Sequence, residues 1–199
     1  MSRLSAVAIT GNLHSPSRSA ALGRVVLRAL ESQHAFDTSL FELVHVARSL
    51  GQALNRAEVS APVELVLQAA ERADVLVVVT PVHRASFSGL FKHFFDLLSL
   101  ESLRDVPVIL AAAGGTERHS LVLEHALRPL FSFFGAQTVP TAIFATERDF
   151  DAERRATPMI EERAERAAKQ ATALLHPPFA RRLGREASVA LEPNLTLEN

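Results

Sequence analysis

The sequence predicts a doubly wound α/β sandwich, in which a five-stranded parallel sheet with strand order 2-1-3-4-5 lies between two layers of helices. Five short apolar segments alternate along the chain with longer amphipathic segments. The apolar segments are continuous rather than alternating, as in strands that are buried on both faces. A regular β-α alternation with right-handed crossovers gives a doubly wound sheet, and 2-1-3-4-5 is a common order for five strands.

The predicted strands are short runs of aliphatic and β-branched residues, the types that are enriched in strands. The third is the clearest, because Val75 to Val79 is a nearly continuous β-branched run, and the second is the weakest. Glycines follow the first and fourth strands directly. We predict strands at residues 4–10, 38–46, 74–82, 107–113 and 139–145.

The predicted helices carry apolar residues at helical spacing, as Leu22, Val25 and Val26 do in the first of them. They span residues 19–32, 63–73, 88–98, 119–134 and 152–175. Residues 1–175 therefore form one domain. The last segment, residues 176–199, contains three prolines and little periodicity, which predicts a loosely ordered tail or one that packs on a partner.

Composition excludes several classes of protein. The 199 residues include 21 Lys and Arg, 22 Asp and Glu, and no Cys. The balanced charge is not that of a nucleic-acid-binding protein, and the absence of Cys excludes disulfides, thiol catalysis and Cys-ligated metals. No segment has the length and apolarity of a membrane span or the pattern of a targeting sequence. We therefore expect a cytoplasmic protein with no membrane association and no metal site.

The first unusual loop is GNLHSPSRS at residues 11–19, between the first strand and the first helix. Hydroxyl groups, backbone N–H groups at a helix N-terminus and one guanidinium group suit a phosphate monoester. The candidate residues are Asn12, Ser17, Arg18 and Ser19. The loop lacks both the Gly-x-Gly-x-x-Gly and the Gly-Lys-Ser/Thr patterns, and Ser17 or Ser19 could instead serve only as the helix cap.

Two further loops follow the third and fourth strands. In residues 80–89, Pro81 ends the strand, and the segment Pro81, Val82, His83 and Arg84 could lay its backbone along a flat ring. The alternative is a plain strand-to-helix connection. After the fourth strand, Gly114, Gly115 and Thr116 allow close backbone approach to a ligand or simply a tight turn. All three loops should meet at the carboxyl edge of the sheet, where such folds bind ligands.

The fourth helix contains a defect at Pro129. Proline has no N–H group for the carbonyl of His125, so the helix must deviate there, as a kink or as a π-bulge. No side-chain arrangement for acid–base, nucleophilic or metal catalysis is found, and we assign no catalytic residue. Together, a phosphate loop, a ring loop and a Gly-Gly loop predict that the chemistry belongs to bound FMN.

The three loops also resemble a known family. TPVHRASFSGLFK at residues 80–92, AGGTERH at 113–119 and HALRPLF at 125–131 are similar to segments of the NADPH-dependent FMN reductases. They are most similar to the reductase components of two-component alkanesulfonate and methanesulfonate monooxygenases. The likeness covers about residues 4–175.

The resemblance implies a flavodoxin-like fold and reduction of FMN by NAD(P)H, with reduced flavin passing to a partner monooxygenase. It implies phosphate contacts from Ser17, Arg18 and Ser19, and ring contacts from residues 81–84 and 114–116. Backbone N–H groups of Gly115 and Thr116 are the candidates for stabilising reduced flavin. Finally, His125 matches an inserted residue that forms a π-helix at a subunit interface in the sulfonate-type reductases, so a homodimer or homotetramer is expected.

Other functions fit the same residues. A quinone or azo reductase would keep FMN bound throughout, and a flavodoxin would be an electron carrier, although flavodoxins are usually strongly acidic and this chain is not. A non-catalytic interaction domain would not need the intact loops. Separately, six phenylalanines in two helices exceed what a monomer core should need, which predicts an exposed apolar interface. They are Phe91, Phe94, Phe95, Phe131, Phe133 and Phe134.

Overall fold

The computed structural model describes residues 3–175. These residues form one parallel sheet in the order β2-β1-β3-β4-β5, and a sixth short strand also pairs with β4. The predicted fold class and strand order are therefore confirmed. The predicted tail, 176–199, lies outside the described residues. The strands are β1 (Leu4–Thr10), β2 (Phe36–Glu42), β3 (Val75–Pro81), β4 (Pro107–Ala113), β5 (Gln137–Thr138) and β6 (Ile143–Ala145).

Two strand predictions need correction. The fifth predicted strand, 139–145, is a strand only at Ile143–Ala145, and a separate two-residue strand lies before it at Gln137–Thr138. Pro140 lies between the two and has no N–H group for a ladder bond. The second predicted strand starts and ends too late in the chain. It occupies Phe36–Glu42, and a 3₁₀ turn at Leu43–His45 follows it directly.

Helices cover both faces of the sheet. The fourth predicted helix is in fact three pieces: a 3₁₀ turn at Glu117–His119, a π-helix at Leu123–Leu127, and α5. The helices are α1 (Arg18–Gln33), α2 (Ala47–Leu50), α3 (Ala61–Arg72), α4 (Gly89–Asp96), α5 (Arg128–Phe133) and α6 (Pro158–Ala173).

The last helix begins six residues later than predicted. Residues 151–155 form a tight turn instead, in which the Asp151 carboxylate accepts a hydrogen bond from the Arg155 N–H at 2.8 Å. Thr157 is the N-cap and Pro158 occupies the first turn, where its fixed φ favours helix initiation. The acidic and basic residues before Pro158 therefore belong to a loop on the same edge of the sheet as the start of α1.

The phenylalanine prediction is wrong, because the aromatic side chains fill the core of the single chain. Edge-to-face contacts join Phe95 to Phe94 and to Phe131, with ring centroids 5.2 and 4.9 Å apart. Only Phe133 is exposed, at 72%. The fully or almost fully buried members are Phe91, Phe94, Phe95, Phe131 and Phe134.

The sheet separates two apolar cores. Leu22, Val26 and Leu30 of α1 pack with Ala164 and other small residues of α6 on one face. The phenylalanines, α3 and the π-helix cover the other face. None of the helices within residues 3–175 combines the length and the apolarity needed to cross a membrane.

Candidate functional site

The three unusual loops lie side by side at the carboxyl edge of the sheet. They are the first loop (residues 11–17), the second loop (82–88) and the third loop (114–116), which follow the adjacent strands β1, β3 and β4. The Gly11 N–H donates to the Val79 carbonyl at 2.8 Å, and the Val82 N–H donates to the Ala113 carbonyl at 2.9 Å. The Ser88 hydroxyl donates to the Gly11 carbonyl at 3.3 Å. The loops therefore form one connected rim.

The first loop is held in shape by the buried side chain of Asn12. Its Oδ1 accepts a hydrogen bond from the Thr10 hydroxyl at 2.6 Å. Its Nδ2 donates to the His14 carbonyl at 2.9 Å and to the Glu42 carboxylate at 2.8 Å. Both ends of the amide thus have partners within the protein, so Asn12 shapes the loop with its side chain.

The loop leads into the N-terminus of α1. Ser17 is the N-cap, and its hydroxyl accepts the Ser19 N–H at 3.1 Å. Within the described residues, the backbone N–H groups of Arg18 and Ala20 have no acceptor. Unpaired N–H groups in the first turn of a 16-residue helix, together with the helix dipole, favour an anion.

The guanidinium group of Arg18 adds a positive charge at the same place. Its Nη1 is buried and makes no hydrogen bond with any described residue. The same nitrogen forms an ion pair with Glu147 Oε2 at 3.3 Å, in which the Arg18 side chain is 40% exposed and the Glu147 side chain 86% exposed. A buried guanidinium nitrogen without a hydrogen bond is rare, because leaving it unsatisfied costs free energy. A phosphate oxygen is the kind of acceptor that fits it.

The second loop is a tight two-residue turn between His83 and Ser86. The His83 N–H donates to the Ser86 carbonyl at 2.7 Å, and the Ser86 N–H donates back to the His83 carbonyl at 3.0 Å. The central residues Arg84 and Ala85 have φ of 49° and 68°, a combination that usually requires Gly or Asn. The side chains of His83 and Arg84 are exposed. The turn therefore presents a strained backbone and two basic side chains toward solvent.

The third loop contains two glycines that differ in the space available for a side chain. A Cβ on Gly114 would lie 2.5 Å from Cζ of Phe144, whereas a Cβ on Gly115 would meet nothing within 4 Å. Neither glycine has a positive φ, so the predicted tight turn does not require them. Within the described residues, the N–H groups of Gly115 and Thr116 have no acceptor. These two exposed donors are available to a ligand.

The π-bulge alternative for the fourth helix is confirmed. The π-helix Leu123–Leu127 contains His125 at its centre and ends where the Arg128 N–H donates to the Leu123 carbonyl. The Arg128 guanidinium binds both oxygens of Glu124, at 2.5 and 2.8 Å, and this lowers the pKa of Glu124 below its usual value. His125 is exposed.

Sequence reasoning missed the residues that support the first loop. Thr10 and Glu42 end β1 and β2, and both contact Asn12. The signal available in the sequence was the carboxylate of Glu42, at the end of a strand that lies beside the first loop. Glu147, which faces Arg18, comes from the 3₁₀ turn after β6 and has no comparable signal.

The assembled rim suits a phosphate-bearing ligand with a flat polar ring. Among the described residues, the first loop has a positive charge and unpaired N–H groups. Unpaired N–H donors also lie at the third loop, which follows β4, the strand next to the one that leads into the second loop. The rim therefore has the groups needed to bind and orient such a ligand. The predicted residues of all three loops come together at this edge, and His125 lies in a separate helix after the third loop.

Comparison with known proteins agrees with this geometry. The model of the family described as NADPH-dependent FMN reductase matches residues 4–151. An NADH-dependent FMN reductase, SfnF, of Pseudomonas fluorescens is 52% identical over 151 residues, covering 75% of this chain and 81% of its own. An FMN reductase (NADPH) of Pseudomonas aeruginosa is 45% identical over 168 residues, covering 84% and 90%.

Solved structures show the same fold. An oxidoreductase from Corynebacterium diphtheriae superposes with a TM-score of 0.75 at 34% identity, covering 87% of this chain and 97% of its own. The apo form of the NADH:FMN oxidoreductase EmoB superposes with a TM-score of 0.77 at 25% identity, covering 89% and 94%.

Proposed function

The chain belongs to the NADPH-dependent FMN reductase family and is an NAD(P)H-dependent FMN reductase, and on that premise we propose that it supplies reduced flavin to a separate monooxygenase. The observation that carries the proposal is the shape of the rim, which has a well-braced phosphate end and a solvent-exposed ring end. The exposed ring end is the part of this shape that favours a flavin that leaves after reduction. The likeness of residues 80–92, 113–119 and 125–131 to reductases of two-component sulfonate monooxygenases supports it.

The first loop holds the flavin phosphate in this proposal. Arg18 supplies a charge-assisted hydrogen bond through its buried Nη1, and the N–H groups of Arg18 and Ala20 supply backbone donors. Ser17 and Ser19 complete the helix start. Asn12 acts indirectly, because its amide keeps the loop in place.

The second and third loops hold the ring. Pro81, Val82 and the turn at His83 and Arg84 border one part of it, and the N–H groups of Gly115 and Thr116 face its polar edge. FMN held there would supply the redox chemistry, with NAD(P)H as the electron donor. Preorganised donors at the third loop would favour the negative charge of the reduced state without moving.

The π-helix provides a means of controlling release. We place His125 at an interface between subunits of a homodimer or homotetramer. Leu121 precedes the π-helix and Phe133 ends α5, and their side chains are 58% and 72% exposed, so both are accessible to a second subunit. The wide helical turn would set the position of that interface relative to the third loop.

A second candidate is a quinone or azo reductase that keeps FMN bound. The braced first loop favours it, because strong phosphate contacts slow dissociation. The two functions differ in whether flavin is a substrate or a resident group, and the exposed second loop favours the substrate role.

The test is NAD(P)H oxidation by the purified, extensively desalted protein with and without added FMN. We expect little oxidation without FMN and saturable dependence on FMN above the protein concentration, with both NADH and NADPH assayed. A yellow protein that oxidises NAD(P)H with a quinone acceptor and ignores added FMN would contradict the proposal. Transfer is tested by coupling the reductase to a flavin-dependent sulfonate monooxygenase and measuring sulfite release.

A further inference from the structure

A groove lies along the outer face of α1, next to the first loop. It has a volume of about 300 Å³, at the lower end of the size range of small-molecule sites. One wall is the exposed face of α1, and the other is the turn before α6. Residues that line it include Ser15, Ser17, Arg24, Arg28, Arg154 and Arg155.

The groove carries an excess of positive charge. Its four arginines face two carboxylates, Glu42 and Glu153. Arg24 lies 3.3 Å from Glu42, and Arg155 lies 3.1 Å from Glu153 and also pairs with Asp151. Arg28 and Arg154 make no ion pair with any residue in the described part of the chain. Two guanidinium groups thus line a concave polar surface with no carboxylate partner among residues 3–175.

The position of Arg154 is fixed by an unusual backbone. Its φ is 59°, a left-handed conformation that few non-glycine residues adopt. The turn is closed by hydrogen bonds from the Arg154 N–H to the Asp151 carbonyl and from the Asp151 N–H to the Arg155 carbonyl, both at 3.0 Å. A glycine would adopt this conformation without strain. The chain instead has an arginine there, whose side chain lines the groove.

The groove is continuous with the first loop, because Ser15 and Ser17 line both. A ligand whose phosphate occupies the first loop can therefore extend into the groove. Resting on the proposed function, we propose that the groove binds the adenylate half of a dinucleotide, with Arg28 and Arg154 pairing with its phosphate groups. FAD and NAD(P)H both contain this half, so the shared chemistry is an adenosine phosphate.

Solvated surface arginines are the plain alternative, since exposed arginines commonly lack partners and contribute little. The concave shape, the shared wall with the first loop and the left-handed Arg154 together distinguish this cluster. Arg166 on α6 provides a matched control, because it is an exposed arginine with one carboxylate partner, Glu162, and lies outside the groove.

The experiment compares Arg28→Gln, Arg154→Asn and the double variant with Arg166→Gln. Asn is chosen at position 154 because it tolerates the left-handed conformation. For each protein, KM is measured for FMN and FAD with NADH as donor, and for NADH and NADPH with FMN as acceptor. Binding of 5′-AMP alone is measured by calorimetry, which does not depend on turnover.

We expect each groove substitution to weaken 5′-AMP binding and to raise the KM of a dinucleotide by roughly three- to tenfold, while the KM of FMN stays within twofold. A rise for FAD alone identifies the flavin dinucleotide as the source, and a rise for NADH or NADPH identifies the nicotinamide dinucleotide. Unchanged values for all ligands would overturn the proposal.

An equal rise that includes FMN would also overturn it, because the groove would then belong to the monophosphate site. An equal rise in the dinucleotide KM for Arg166→Gln would also overturn the proposal, because the effect would then come from the overall charge of the protein. If the wild-type protein shows no FMN-dependent turnover, the proposed function is contradicted. If the Arg28 and Arg154 substitutions still weaken 5′-AMP binding in that case, the groove assignment stands.

Discussion

The first and second loops lie on neighbouring strands and yet are built in opposite ways. The first loop is organised by buried side chains, with Asn12 fully buried and hydrogen bonded to Thr10 and Glu42. The second loop is organised by its backbone alone, in a turn whose central residues Arg84 and Ala85 have positive φ and exposed side chains. One end of the site is therefore braced from within, and the other is open to solvent.

This difference suits a ligand that is held firmly by its phosphate and loosely by its ring. In the proposed site, the braced end would provide affinity that is common to any flavin phosphate. The open end would allow the ring and the nicotinamide to stack and separate with little rearrangement of the core. A reductase that turns over free FMN needs both properties, and each can be altered separately by substitution.

The largest expected effect is on flavin retention, and it follows from a change to the π-helix. Deleting His125 removes one residue from the wide turn and should restore α-helical spacing, so that flavin is retained and the purified protein is yellow. The measurement is the flavin-to-protein ratio after gel filtration. His125→Ala keeps the helix length and serves as the control. A folded deletion variant with unchanged FMN affinity and turnover would show that the π-helix has only a structural role.

Next in size is Gly11→Ala, which tests the bracing of the first loop. A Cβ at this position would lie 2.6 Å from Cδ2 of Phe91 and 3.1 Å from its Cβ. Because Phe91 is fully buried, it cannot move away, and we expect a loss of about 2–3 kcal/mol in the free energy of unfolding. Urea denaturation measures it, and Gly115→Ala, with open space around its Cβ, should leave stability nearly unchanged. Similar losses for both variants would contradict the comparison.

Asn12→Ala removes the buried amide itself. Thr10, Glu42 and the His14 carbonyl would each lose a partner, and an unsatisfied buried polar group costs about 1–3 kcal/mol. We expect a loss of about 2 kcal/mol in unfolding free energy, together with weaker FMN binding. The matched substitution His83→Ala, on the second loop, should change stability by less than about 0.5 kcal/mol. An unchanged midpoint of urea denaturation for Asn12→Ala would show that this side chain does not brace the first loop.

The smallest effect is expected for Ala85→Gly in the second loop. Glycine relieves the left-handed strain of about 1–2 kcal/mol, and its greater freedom in the unfolded chain offsets about 0.5–1 kcal/mol of that gain. The net result should be a stabilisation of at most about 1.5 kcal/mol, visible as a small rise in Tm. A clear destabilisation would mean that the Ala85 methyl group makes a contact that holds the turn.

The sequence was sufficient for the central strands and the loops that follow them. Strands such as β3 are buried on both faces, so their composition alone identifies them. The sequence also indicated the helix defect at the π-helix, because Pro129 lacks a hydrogen-bond donor that a regular helix requires. At the edge of the sheet the composition is weaker. Only Ile143–Ala145 of the predicted strand 139–145 is a strand, and Pro140 separates it from the short strand Gln137–Thr138.

Long-range contacts were beyond the sequence. The six phenylalanines suggested an interface, because nothing local shows that Phe95 meets Phe131 in the core. The side-chain contacts of Asn12 with Thr10 and Glu42 were also not predicted. In both cases the partner lies on a different element, and only the packing of the sheet brings the two together.

The most direct test of the account is a titration of wild-type protein and Arg18→Ala with FMN and with riboflavin, which lacks the phosphate. The buried Nη1 of Arg18 has no hydrogen-bond partner among the described residues, and we expect its removal to weaken FMN binding by about 1.5–3 kcal/mol, the range for a charged hydrogen bond. Riboflavin binding should be the same in both proteins. Equal losses for the two ligands would show that Arg18 does not bind phosphate and would contradict the assignment of the first loop.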